Sequence, residues 1–359
     1  MLQIVITRIL GLALLTTCLS QTAIAAPGSH YLDQRPDTAL RLNAMDQGVV
    51  LSYGDGPNHC DDLGSREAVI FEDRGTYYLH YDGAGPRGWI ACLATSRDLV
   101  NWVKKGPILD FGEPGRLDSA SVASPWVIKD QGVWHMFYVG TPNATKSENR
   151  IPMFPYLTMK ARSAAPEGPW TKQYDCIPFR TKPDTYYAAT ASPGCVIKHH
   201  GEFLMFFSGS VEKPKILRTL GLATTRDLDG SWTVSAQPLF PLEEQVENTA
   251  IYYEKSNDTW FLFTNHIGLD EKSREYPNAI WVYWSHDPKH WDAAHKAVVL
   301  DGTNCVWSKA CIGMPSVVQI GDRLALFYDG VGGTSINAMK HKIGLAWLRL
   351  PLSAPTTPR

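Results

Sequence analysis

Hardly any stretch of this 359-residue sequence carries apolar residues at helical spacing, which removes the helical classes from consideration. No G-x-S-x-G elbow, P-loop, H-E-x-x-H or G-x-G-x-x-G string occurs, so esterase, nucleotide and zincin chemistries lack their signatures. No C-x-x-C occurs and no His/Cys spacing suits zinc, so no metal or other cofactor is expected. Charge of one sign is missing too. Thirty-four Lys and Arg against 36 Asp and Glu give a net charge of −2, without the basic surplus that nucleic acid or an anionic membrane would require. The apolar run Ile9 to Leu19 is too short to span a bilayer, and no other run approaches the necessary length, so no membrane span is expected.

Aromatic residues, by contrast, are abundant: 12 Trp, 15 Tyr and 12 Phe in a chain that is 44% hydrophobic. Most are expected to build a β core. The remainder suit a carbohydrate site, where flat rings stack on sugar C–H faces and polar neighbours take the hydroxyls.

The first residues read as an export signal. Arg8 precedes the apolar run, and Ala23-Ile24-Ala25 is an A-x-A cleavage pattern, so residues 1–25 are expected to leave and the mature chain to be secreted or periplasmic. Leu15 to Cys18 offers a lipoprotein box as the alternative, with Thr17 poorly suited to it. Six cysteines then remain. Cys305 and Cys311 are the most plausible local disulfide pair, and Cys92 and Cys195 sit in strand-like runs that suit buried thiols. Residues 26–59 read as a lead-in segment with one possible short helix at Asp37 to Met45. DGPNHCDD at 55–62 lacks the spacing of a calcium loop.

From residue 60 to 352 the chain repeats itself. DSASVASPWVIKDQGVWHMFYVG (118–140) is a hairpin: an apolar strand, a polar turn with Gly132, then an aromatic strand. Similar hairpins turn at Gly75, Gly201, Asp258 and Gly321, and successive turns lie 57, 69, 57 and 63 residues apart. Each hairpin is followed by an apolar strand, a turn, a Trp and another strand, with Trp102, Trp170, Trp232 and Trp291 at matching places. Two hairpins per unit and five units predict an all-β, five-bladed β-propeller of four-stranded antiparallel blades, the Trp residues packing between neighbours. Residues 353–359 form a tail.

A propeller brings the entries of all first strands to one rim. Those entries read Arg66-Glu67, Ser124-Pro125, Ser192-Pro193, Glu247-Asn248 and Met314-Pro315. Glu67 and Glu247 are the two carboxylates, and an acid before an apolar inner strand is costly unless paired or functional. Asp61, Asp118 and Asp184 lie seven to nine residues upstream of the equivalent strands, either as loop caps or as acids facing the funnel. His266, Arg66 and Trp126 complete the candidate substrate-binding set, with His59 a weaker one. Two carboxylates in an aromatic-lined hollow are what glycoside hydrolysis needs: one protonated for the leaving group, one ionised to activate water or attack carbon.

LATSRDLVNWVKKGPIL (93–109) and GLATTRDLDGSWTVSAQPLF (221–240) resemble blades of the five-bladed propeller glycosidases, glycoside hydrolase families 43, 32, 62, 68, 117 and 130, over residues 60–352. The resemblance implies an exo-acting or furanoside-cleaving enzyme, with the base or nucleophile on Glu67, the acid on Glu247 and a supporting acid at Asp118 or Asp184. Where the family has Asp-Pro at the first position, this chain has Glu67-Ala68. The expected partner is an oligosaccharide or polysaccharide. Alternatives are a non-catalytic carbohydrate-binding propeller, or a phosphorylase or transglycosylase. A phosphorylase would need a basic cluster, and none is legible in the sequence.

Overall fold

The computed structural model describes residues 37–213, 215–272 and 274–356. The export signal and the lipidation alternative lie outside them. In chain order the strands are β1 (Met45–Leu51), β2 (Gly64–Asp73), β3 (Thr76–Gly85), β4 (Gly88–Ser96), β5 (Val103–Pro107), β6 (Ser121–Asp130), β7 (Val133–Thr141), β8 (Tyr156–Ser163) and β9 (Thr171–Lys172). There follow β10 (Thr190–Ser192), β11 (Val196–His199), β12 (Glu202–Val211), β13 (Leu217–Thr225), β14 (Thr233–Val234), β15 (Val246–Glu254), β16 (Thr259–Leu269), β17 (Glu275–Ser285), β18 (Lys296–Leu300), β19 (Ile312–Ile320), β20 (Arg323–Gly330) and β21 (Lys342–Arg349). No helix among the described residues is long and apolar enough to cross a membrane.

Antiparallel pairing groups these strands as β2–β5, β6–β9, β10–β14, β15–β18 and β19–β21 with β1. The fourth strand of the last group is thus the N-terminal one, Met45 pairing with Trp347 and Leu51 with Ile343. The expected helix over 37–45 is absent. Its backbone is extended, Leu42 and Ala44 donating to Val298 and Val299 carbonyls at 2.9 and 3.1 Å. Leu40, Leu42 and Ala44 alternate with polar residues, a period of two that fits an edge strand and not a helix. The segment read as a lead-in is therefore part of the fold, running beside the fourth group and completing the fifth.

The recurring Trp residues pack between groups, as the repeat predicts. Trp102 meets Phe327, Trp170 meets His80, Trp232 meets Phe137 and Trp291 meets Phe206, each ring edge-on at 5.5–6.3 Å. Each Trp comes from the third-to-fourth-strand turn of one group and lands on the second strand of the group before it, the first group landing on the last.

A second set of inter-group contacts lies at the first strands. β2, β6, β15 and β19 each carry a bulge that skips two residues of register. The first skipped residue is left-handed in every case: Glu67 (φ 52°), Ser124 (49°), Asn248 (59°) and Met314 (58°). Its freed N–H donates to the side chain at one fixed place on the preceding group's second strand. Ser124 N–H meets Asp82 at 2.6 Å, Asn248 meets Ser208 at 2.9 Å, Met314 meets Asn265 at 3.1 Å and Glu67 meets Asp329 at 3.0 Å. The third group breaks the pattern. Pro193 stands at the bulge, has no N–H and cannot take positive φ, and its first strand is split into β10 and β11. The matching acceptor position holds Val139, which pairs with Ala123. Donor and acceptor are missing together.

Candidate active site

The bulges aim side chains into a cavity of about 240 Å³ where the first strands converge, walled by Trp89, Tyr156, Tyr276 and Met314. Glu67 and Glu247 both line it, with Arg66, Asp82, Arg218 and Glu275. The bulges also correct the alignment of the repeats. Glu67 is equivalent to Ser124, Asn248 and Met314, whereas Glu247 is equivalent to Arg66, Ala123 and Gly313. The two glutamates therefore occupy successive positions of the repeat.

Their surroundings differ. Ser124 Oγ donates to Glu67 Oε2, while Ser124 N–H is held by Asp82. Burial pushes the Glu67 carboxyl up to about 7, against the pull of Arg66. Asp82, buried and facing Glu67, is held well above the usual carboxylate range by desolvation and then by Glu67's charge. Glu247 takes Arg218 Nη1 directly, and Arg218 also grips both oxygens of Glu275 at 2.9 Å. Burial raises Glu247 as well, with Arg218 drawing it back. Asp329 lies behind Glu67, 3.7 Å from Arg66 Nε and 3.1 Å from His341 Nδ1. Burial and Arg66 draw His341 below its ordinary value, while its two ring nitrogens face Asp329 Oδ1 and the Asn337 carbonyl. Arg66 stacks over Trp89 at 5.0 Å. Among the described residues no acceptor meets the buried indole N–H of Trp89.

The other predicted residues are elsewhere. Asp118 is fully buried away from the cavity, accepting from Tyr138 at 2.9 Å and Lys172 at 2.6 Å. Asp61 plays the same part in the first group, with Tyr81 and Lys104. Glu244 repeats it in the fourth with Tyr283 and Lys296, both at 2.7 Å. These acids tie the entry of a group to its outermost strand, and Asp61 and Asp118 are corrected from candidate site residues to internal cross-links. Asp55 joins Asp61 on Lys104, so the 55–62 loop spends these two carboxylates on a lysine. Asp184 is exposed on a wider concavity of about 990 Å³ beside Glu212 and Glu243, which holds no buried acid pair. His266 lies within β16, fully buried, stacked 4.0 Å from Trp281 and bonded to Tyr283 at 3.0 Å, so it does not reach the rim. Trp126 is buried among Val69 and Ala250 in the core. His59 is exposed and bound to Asp62. Only Glu67, Glu247 and Arg66 of the predicted set meet at the cavity.

Asp82, Asp329, Arg218, Glu275, Ser124 and Trp89 escape the sequence reading. A signal exists for two. Tyr81-Asp82-Gly83 and Tyr328-Asp329-Gly330 end equivalent strands where the other groups have Val139, Ser208 and Asn265. The two arginines do form a basic pair, but Asp329, Glu247 and Glu275 neutralise them. The expected Cys305–Cys311 bond is also absent: Cys305 faces Tyr328 Oη at 3.5 Å and Cys311 faces His341 at 3.8 Å, both as thiols.

No family model and no curated protein sequence matches the chain. Solved structures do. BT0996, in a complex with RGII, aligns with TM-score 0.65 at 17% identity, over 89% of this chain and 96% of that one. Zg3597, a family 117 glycoside hydrolase of Zobellia galactanivorans, gives 0.59 at 16%, over 89% and 97%. The α-L-arabinanase of Cellvibrio cellulosa with arabinohexaose gives 0.56 at 16%, over 77% and 90%. At such identities the likeness is one of fold: this chain has the all-β architecture of the propeller glycoside hydrolases.

Proposed function

We propose that this protein is a secreted five-bladed propeller glycoside hydrolase that removes a terminal sugar from polysaccharide-derived oligosaccharides. The observation that carries the reading is the placement of Glu67 and Glu247, from different sheets, on one small cavity with opposite supports. Glu67 has a hydroxyl partner and a pKa near 7, which suits the proton donor to a leaving oxygen. Glu247 has a guanidinium on its carboxylate, which suits the charged base or nucleophile. This order is the reverse of the one the resemblance implies, and it follows from the local charges. Asp82, its carboxyl held above the usual range by burial, fixes the Ser124 N–H and so keeps the donor's hydroxyl partner in place. A cavity near 240 Å³ falls below the range of about 300–1,000 Å³ that encloses drug-sized ligands, which supports exo action on a single ring. Trp89, with Arg66 over its ring, supplies an aromatic wall to that site.

The leaving group tests the assignment of roles. An acid is dispensable when the leaving group is a good one, so Glu67→Gln should lose far less activity on a nitrophenyl glycoside than on an oligosaccharide. Glu247→Gln should lose activity on both. Equal losses for both variants on both substrates would remove the distinction.

A further inference from the structure

A second cavity, of about 280 Å³, opens on the flank of the first group, between the turn 56–60 and the β3–β4 turn. Cys60 is part of its wall, with His59, Arg87 and Phe111. Behind Cys60 lies Cys92 on β4, fully buried, its thiol donating to the Ile90 carbonyl at 3.5 Å. The two residues also converge on Gly83 of β3. A Cβ there would meet the Cys60 carbonyl oxygen at 2.4 Å and the Cys92 sulfur at 2.8 Å, so Gly83 is the gap that lets them meet. No other pair among the six described thiols shares such a site: Cys305 and Cys311 face Tyr328 and His341, Cys176 faces Asp229 and Cys195 lies in the core.

We propose that Cys60 and Cys92 are a redox-active dithiol, with Cys60 the attacking thiol reached through the pocket and Cys92 the resolving one. The oxidant is a small-molecule disulfide. Cys60 loses its proton and attacks one sulfur of that disulfide; an S–S bond forms to Cys60 and the other half leaves as thiolate. Cys92 then loses its proton and displaces the second half, so that two protein thiols are oxidised to one disulfide and the reagent is reduced to two thiols. The neighbouring Cys92 side chain draws the Cys60 thiol below its ordinary pKa although burial opposes this, while burial raises Cys92, which matches that order of attack. Arg87 and Asp110 on the pocket wall suit a reagent that carries both carboxylate and ammonium groups, such as glutathione. The disulfide would staple the turn that carries Asp61 to the third strand of its group.

The test uses the full chain in oxidised glutathione, followed by alkylation and non-reducing peptide mapping. The expected product is a peptide pair joined through Cys60 and Cys92, with a higher Tm than the reduced protein. Cys92→Ser should arrest Cys60 as its glutathione adduct, and Cys60→Ser should leave Cys92 unmodified in folded protein, neither variant gaining Tm on oxidation. The wild-type map does not depend on either variant folding. A free, alkylated Cys60 after oxidation, a bond between any other pair, or a lasting glutathione adduct on wild-type Cys60 would overturn the proposal. None of these results bears on glycoside cleavage.

Discussion

Asp329, at the end of the last group's second strand, accepts the backbone N–H of Glu67, at the bulge of the first group, at 3.0 Å. That bond joins the two ends of the chain's repeat and sets the left-handed backbone from which the Glu67 carboxyl reaches the cavity. The same carboxylate faces Arg66 and His341. Left-handed, non-glycine backbone costs about 1–3 kcal/mol per residue and persists only where its surroundings hold it.

Asp329→Ala should therefore destabilise the protein by about 3–5 kcal/mol, because it leaves Arg66 buried without its counter-ion and Glu67 N–H without an acceptor. Asp329→Asn keeps the acceptor and should lose less. Urea unfolding at neutral pH measures both; equal midpoints for wild type and Asp329→Ala would contradict the role.

The matched gap at the third group makes a double-mutant cycle. Pro193→Ala alone presents an N–H to Val139, and Val139→Ser alone presents a hydroxyl to Pro193. Together they should recover about 0.5–1.5 kcal/mol relative to the sum of the singles. A coupling of zero would show that the third group is spaced differently from the others.

Glu67 fixes the direction of a pH dependence. Its carboxyl binds a proton more tightly folded than unfolded, its pKa rising from 4.5 to about 7. The stabilisation is complete below the unfolded value and is lost as pH rises through about 7. Asp82 and Glu247 are raised too and act in the same direction. Thermal unfolding should show stability falling between about pH 4.5 and 7, with Glu67 accounting for about 3 kcal/mol of the fall. Glu67→Gln should flatten that part of the curve and be more stable than wild type above neutrality. If Glu67 carries the catalytic proton, kcat/KM should hold up to about neutrality and decline as pH rises through about 7. A wild-type curve that rises from pH 4.5 to 7 would contradict the burial argument.

Asp118 separates structure from catalysis. Asp118→Asn removes the counter-ion of Lys172 and should cost several kcal/mol in stability, with kcat of the folded fraction within about twofold of wild type. A fall of about a hundredfold at unchanged Tm would restore Asp118 as a supporting acid.

Much of the fold is legible because a period of two and a recurring Trp turn are local signals; the Trp contacts between groups follow from them directly. The lead-in is harder to read because three alternating residues, Leu40, Leu42 and Ala44, are a short signal whose partner, β18, lies some 250 residues away. Glu67 and Glu247 stand out as acids at strand entries, and both reach the cavity. Sequence alone sets the second and fifth entries, Ser124-Pro125 and Met314-Pro315, one position out, because Pro125 and Pro315 align by type with Pro193, which stands one place earlier in its strand. Asp61 and Asp118 look like Glu67 in sequence. Only their lysine partners, 43 and 54 residues onward, show that they are bound internally. His266 reads as a rim residue only while the strand's length is unknown, and β16 runs to Leu269.

The most direct measurement is product release from arabinan, xylan, agar and pectin oligosaccharides by wild type, Glu67→Gln and Glu247→Gln, each shown to be folded. The account predicts release of a single sugar by wild type on at least one of these substrates, and a fall of at least about a hundredfold in kcat/KM for each variant. Undiminished turnover by folded Glu247→Gln, or binding without cleavage by wild type across the panel, would contradict it.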